Sequence, residues 1–166
     1  LAAILMVGGR ALTPAEARRS VDLGVIVLIA ASFGLGAAIE SSGLAGVIAS
    51  AIVAASAAFG PIGILLGVGV VTMLLTEMIT NNAAAVLVFP VAVSTAAAAG
   101  LDPRPFAIVV AFAASASFLT PIGYQTNTMV HGPGGYRFTD YLRLGVPLSV
   151  AVLLVLGALV PLFWSL

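Results

Sequence analysis

The sequence predicts an all-α integral membrane protein, and two observations carry that prediction. Of its 166 residues, 61% are hydrophobic and only 7% charged. A soluble domain carries about 25% charged residues, so this chain cannot clothe a water-facing surface. Apolar runs near the roughly 20 residues needed for a spanning helix recur along the whole chain. They are too many and too evenly spread for a signal peptide followed by a soluble domain. A multi-pass protein of the cell membrane is therefore expected, the inner membrane if the source is bacterial. The cations are Arg10, Arg18, Arg19, Arg104, Arg137 and Arg143, and the acids are Glu16, Asp22, Glu40, Glu77, Asp102 and Asp140. That balance, with no basic cluster, argues against a nucleic-acid partner. The absence of cysteine excludes disulfides, thiol catalysis and thiolate metal sites within this sequence.

Taken in order, Leu1 to Gly9 reads as the tail of a span, cut partway through. The connector RALTPAEARRSVD follows, in which Thr13 suits a helix N-cap and Pro14 its first turn; residues 1–21 thus form the end of a span plus a short interfacial helix. Leu23 to Ile39 is a clear span closed by Glu40 and the turn SSG. Leu44 to Phe59 is Ala-rich and short, and suits either a tilted span or an arm packed on other helices. Residues 61–100 run twice the length of one span, with a polar interruption at Thr80 to Asn82 within TEMITNNAAAVLVFP. Hydropathy admits two readings of them, a pair of full spans joined at the membrane surface or a re-entrant hairpin with its tip at mid-depth. The next helix opens at Asp102-Pro103, reads through Leu119 and breaks at TPIGYQTNT, giving a broken helix over about 103–131. A Gly/Pro loop, MVHGPGGYRFTD, leads to the last span at about 141–164, where Trp164 suits an interfacial anchor. The two Arg-bearing connectors cast a vote for the same, cytoplasmic side.

The two polar breaks are where chemistry is expected. Interrupting a helix inside a membrane frees N–H and C=O groups that are tolerated only within protein or beside a cavity. Freed C-terminal carbonyls suit Na⁺, and the N–H end of the following half-helix suits an anion. Transporters place substrate and coupling-ion sites at such points. Asn81 and Asn82 suit the N-cap of the second half-helix. The competing reading is that the asparagines bind neighbouring helices together or form an ordinary turn; the second break some forty residues later favours function. Glu77 is open between a functional acid and a hydrogen-bond acceptor for a neighbouring helix. His131 reads as a wetted surface residue. Gly34–Gly36 and Gly67–Gly69 read as close-packing points. GPGG lacks the Lys-Ser/Thr of a P-loop, and no metalloprotease or nucleophile-elbow motif is present, so no enzyme is expected.

The run LLTEMITNNAAAVLVFPVAVSTA, followed by AASASFLTPIGYQTNTMVHGPGGYRFTDYLRLGVPLS, resembles the C-terminal repeat of the divalent anion/sodium symporters (solute carrier family 13), closest to their sulfate permease-like branch. The resemblance runs from about Asp22 onward. It implies one inverted repeat, residues 22–166, with a re-entrant hairpin and a discontinuous helix. The family carries Ser-Asn-Thr at each hairpin tip. Thr80, Asn81 and Asn82 match that motif here, and Thr120 and Pro121 match the break in the facing helix. By this resemblance Asn81, Asn82, Thr120 and Pro121 contact substrate. Thr80, Asn81, Thr120, Gly123 and Asn127 surround Na⁺, the only metal implied. Thr-Asn-Asn in place of Ser-Asn-Thr, and IGYQTN after Thr120-Pro121, lean away from dicarboxylates towards sulfate or another small oxyanion.

The expected function is thus the C-terminal half of a sodium-coupled secondary transporter for a divalent anion, with Na⁺ as coupling ion and no other cofactor. The partners implied are the bilayer, the small anion, a missing N-terminal repeat and a second copy in a homodimer. Without the N-terminal repeat, half the site would be absent and this chain alone should not transport. The alternatives are a related carrier of the arsenite or citrate permease type, or a non-transporting membrane or channel subunit. A channel should show a polar stripe at helical spacing, and none is visible outside the two breaks.

Overall fold

A computed structural model of the protein describes residues 2–19 and 23–166. Asp22 lies outside the described residues, as does the side chain of Glu40. All regular structure among the described residues is helical. The order is α1 (Ala2–Gly8), α2 (Pro14–Arg19), α3 (Leu23–Ser41), α4 (Leu44–Ser56), a 3₁₀ turn (Ala57–Phe59), α5 (Gly60–Thr76), α6 (Asn81–Ala99), α7 (Pro103–Ala113), α8 (Gln125–His131) and α9 (Phe138–Phe163). Among the described residues, three stretches are long and apolar enough to cross a membrane: the run from Leu44 to Thr76, α6 and α9.

Helix starts follow local chemistry. At α2 the Thr13 hydroxyl accepts from Glu16 N at 3.2 Å, and the Glu16 carboxylate accepts from Thr13 N at 2.8 Å, a reciprocal capping box. Those bonds hold the Glu16 carboxyl below its usual range. Asp102 caps α7 by accepting from Arg104 N at 2.8 Å, with Pro103 at the first position where its missing N–H costs nothing. The run from Leu44 is broken at Gly60, whose φ of 68° turns the chain between the 3₁₀ turn and α5.

Helices α5 and α6 form the centre. α6 packs against α3, α4, α5 and α7, while α5 also meets α7 and α9. Leu65, Val68, Ala92, Ala96, Phe106 and Val109 are wholly buried between them. Small residues permit the close approach: a Cβ on Gly67 would meet Ser56 Oγ at 2.7 Å, and one on Gly69 would meet Val109 and Leu153 at 3.1 Å. Gly34 has no such neighbour, so the packing role expected of that pair is absent at its first glycine. Buried Thr72 and Thr95 satisfy their hydroxyls on the carbonyls one turn back, Val68 O and Val91 O, at 2.7 Å each. Leu144, Leu154, Leu162 and Phe163 on α9 stay exposed, as apolar side chains do when lipid or protein is their solvent.

Several boundaries differ from the expected ones. The interruption after α5 covers residues 77–80, so it starts earlier than Thr80 and ends before Asn81. α7 stops at Ala113, six residues short of Leu119, and the non-helical stretch runs from Ala114 to Tyr124. α8 ends at His131, where the broken helix is expected to end, so only the middle of MVHGPGGYRFTD is loop, and α9 starts at Phe138, ahead of Tyr141. His131, expected as a wetted surface residue, is half-buried; its ring lies 5.7 Å from that of Tyr141, and its Nδ1 is buried with no hydrogen-bond partner among the described residues.

Candidate functional site: two helix breaks joined at a polar cleft

The first break is a tight turn. Leu75 O accepts from both Met78 N and Ile79 N, at 3.0 and 3.1 Å, closing the C-terminus of α5. Thr80 then caps α6, its hydroxyl accepting from Ala83 N at 3.3 Å. This corrects the expectation that Asn81 and Asn82 would be the caps. All three residues are good cappers, but only Thr80 has the extended backbone, with ψ of 150°, that a cap needs. Asn81 is the first helical residue, and its Oδ1 accepts from the Thr76 hydroxyl at 2.9 Å. The N–H groups of Asn81 and Asn82 have no intrahelical acceptor, as in any first turn, and they sit at the positive end of a 19-residue helix.

The second break gets its shape from the first. Thr76, wholly buried, places its hydroxyl 2.7 Å from Ala114 O, the first carbonyl beyond α7. Glu77, only 6% exposed, directs its carboxylate at the next part of the same segment. Oε1 accepts from Leu119 N at 2.8 Å, and Oε2 accepts from Thr120 N and Thr120 Oγ1 at 2.9 Å each. An unpaired carboxylate in such a place would cost several kcal/mol; here three donors meet it. Thr120 Oγ1 in turn accepts from Gly123 N at 2.9 Å. Gly123 is obligatory in this arrangement, because a Cβ there would meet Ser117 Oγ and, at 2.5 Å, Glu77 Oε2. Asn127 closes the loop from α8, its Nδ2 donating to Ser117 O at 3.0 Å and Thr120 O at 3.1 Å. Thr128 Oγ1 donates to Pro121 O at 2.7 Å, and Tyr141 of α9 donates to Asn127 O at 2.9 Å.

Between the two breaks opens a cleft of about 660 Å³. Thr80, Asn81 and Asn82 form one wall; Ser115, Gly123, Tyr124 and Gln125 form the other, with Met78, Ile79 and Ile122 at its apolar edge. Of the residues named from the sequence, Thr80, Asn81, Asn82 and Gly123 therefore line one cavity. Thr120, Pro121 and Asn127 do not line it. Thr120 faces Glu77, Pro121 is buried, and Asn127 straps the break from behind. Sequence reasoning did not single out Ser115, Tyr124 or Gln125 as wall residues, nor Thr76 and Ser117 behind them. Ser115 and Ser117 lay in a stretch read as helix, so nothing local marked them.

Residues 1–111 match the family model described as citrate transporter (CitMHS). The chain belongs to that family. The matched region includes the first break and ends before the second. Among individual relatives, an uncharacterized transporter of Synechocystis is 46% identical over 160 residues, covering 96% of this chain and 26% of its own length. An uncharacterized transporter of Escherichia coli is 34% identical over 164 residues, 99% of this chain and 27% of its own. Sodium/sulfate cotransporter 1 of Chlamydomonas reinhardtii is 34% identical over 158 residues, 95% of this chain and 18% of its own. The chain thus spans about a quarter or less of these relatives. The family and its relatives are transporters, not enzymes, and the resemblance to divalent anion/sodium symporters holds. With its apolar helices, the protein is a multi-pass membrane protein.

Proposed function

We propose that this chain is the C-terminal half of a secondary transporter that uses a Na⁺ gradient to carry a divalent anion, a sulfate-like oxyanion before a dicarboxylate. The observation that carries the proposal is the meeting of two helix breaks at one cleft walled by hydrogen-bond donors and lined by no carboxylate. Asn81 and Asn82 are the direct anion contacts, offering side-chain amides together with the first N–H groups of α6. Thr120 and Pro121 act one layer behind, by holding the opposite wall. Thr80, Asn81 and Gly123 border the Na⁺ position. Thr120 and Asn127 support that position from behind, through the bonds that shape the loop around Gly123. A buried charge beneath the tip suits a re-entrant α5–α6 pair more than a turn in water. The N-terminal repeat would complete the site, and rigid-body movement of this unit within a homodimer would carry it across the membrane.

The names of relatives described as sodium/sulfate cotransporters support the choice of anion. The family description favours citrate as the second reading. Uptake of labelled sulfate, succinate and citrate into proteoliposomes holding the full-length protein tests both. Sulfate accumulation that requires an inward Na⁺ gradient is the expected result. Na⁺-dependent uptake of citrate alone would replace the substrate, and accumulation of no anion would overturn the proposal.

A further inference from the structure

We infer that Glu77 is a positioning residue that locks the two breaks into one rigid unit and that it does not ligate the coupling ion. This rests on the transport reading only where uptake is measured. Three features converge on it.

The carboxylate is shared between two segments more than forty residues apart, and every described partner it has lies on the second break: Leu119 N, Thr120 N and Thr120 Oγ1, with Thr120 Oγ1 also 3.5 Å from Glu77 O. Two successive backbone N–H groups gripping the two oxygens of one carboxylate fix both the distance and the angle between the segments, as a bidentate pair does. Glu77 is also absent from the cleft lining. Gly123 stands between its Oε2 and the cavity, at a separation where even a methyl group would not fit. An ion in the cleft therefore meets the Gly123 backbone rather than the carboxylate. Finally, the lock has a second, uncharged bolt alongside it. Thr76 reaches Ala114 O at 2.7 Å and Ser117 Oγ reaches Thr76 O at 3.4 Å, so the end of α5 is also tied to the first residues of the segment that forms the far wall.

A carboxylate is needed because all three partners are donors and it accepts on both oxygens. In Glu77→Gln the amide nitrogen must face at least one N–H, so one backbone bond is lost without any change of size. Support residues of this kind cost on the order of 10-fold in affinity or activity when removed.

The test uses the full-length protein in liposomes, with nitroxide labels on Met78→Cys and Ile122→Cys, two exposed residues at the edge of the cleft, one on each break. With Glu77 intact, the spin–spin distance distribution is expected to be narrow. Glu77→Gln should broaden it, and Thr120→Val, which removes one of the three donors, should broaden it less. In uptake, Glu77→Gln should raise the half-saturating concentrations of sulfate and Na⁺ together, on the order of 10-fold each. An unchanged distribution in Glu77→Gln would overturn the proposal, and so would a shift confined to the Na⁺ dependence, which would make Glu77 an ion ligand. Should Glu77→Gln not reach the membrane, Glu77→Asp, whose shorter stem cannot meet both backbone N–H groups, carries the test, and an unchanged distribution in it overturns the lock. The spin-label result stands even for a protein that transports none of the anions tried, so failure of the lock and failure of the transport reading are told apart.

Discussion

Gly145→Ala is expected to abolish transport while leaving the protein in the membrane. Gly145 lies on α9 where that helix crosses behind the second break. A Cβ there would meet the carbonyl of Phe118, with its carbon at 2.7 Å, and Leu119 Cα at 3.0 Å. These are backbone atoms, so no rotamer change relieves the overlap; either α9 or the segment 118–120 must move. Overpacking of this kind costs about 1–3 kcal/mol, and the displaced segment is the one whose N–H groups hold Glu77. The same helix supplies a matched control. In Gly157→Ala the new methyl meets only the tip of Leu66, at 3.2 Å and beyond, and a leucine can turn aside. Melting temperature and Na⁺-dependent uptake, measured for both variants, should separate them. Equal activity in the two would show that the 118–120 backbone does not need its present place.

Asn81→Ala should have the opposite profile, a large loss of function at little cost in stability. The side chain makes one described bond, accepting from the Thr76 hydroxyl. That hydroxyl keeps an alternative acceptor at 2.7 Å in Ala114 O, so the substitution strands no buried group, and its cost in stability is accordingly small. Asn81, however, lines the cleft, and its amide is proposed to meet the anion. A hydrogen bond to a charged partner contributes about 1.5–3 kcal/mol, which corresponds to roughly 10- to 100-fold in anion affinity. Sulfate uptake at low concentration should fall by that factor, with the melting temperature nearly unchanged. Unaltered uptake in Asn81→Ala would remove Asn81 from the site.

What could be read from the sequence was what is encoded locally. Thr13 with Glu16, and Asp102 with Pro103, announce helix starts because cap and partner lie within three residues of each other. The break near Thr80 is visible because amides and a carboxylate interrupt an apolar run. The near miss over its cap is equally local, since Thr80, Asn81 and Asn82 have similar capping chemistry and only the backbone angle separates them. The end of α7 was hidden for a different reason. Nothing in Ala114 to Leu119 breaks a helix by composition, and the chain leaves helical geometry there because Thr76 and Glu77 supply bonds from the other break. A segment whose shape is set by partners some forty residues away carries no signature of its own. The strap from Asn127 and the space left at Gly145 are invisible on the same grounds. Thr120 and Pro121 lie in the second break and Asn127 on the helix after it, and which side of the wall each occupies is decided by tertiary contacts.

The central claim is that the cleft between the joined breaks is the anion site. Ser115 tests it with least disturbance, because it is exposed on the wall opposite Asn81 and its hydroxyl makes only a 3.4 Å contact with Ala111 O. The measurement is the rate at which a maleimide labels Ser115→Cys in the full-length protein, otherwise free of cysteine, with Thr139→Cys on the exposed start of α9 as reference. Sulfate and Na⁺ together should slow labelling at position 115, either ion alone should do so less, and position 139 should be unaffected. Labelling at 115 that ignores both ions, or protection that appears equally at 139, would contradict the account.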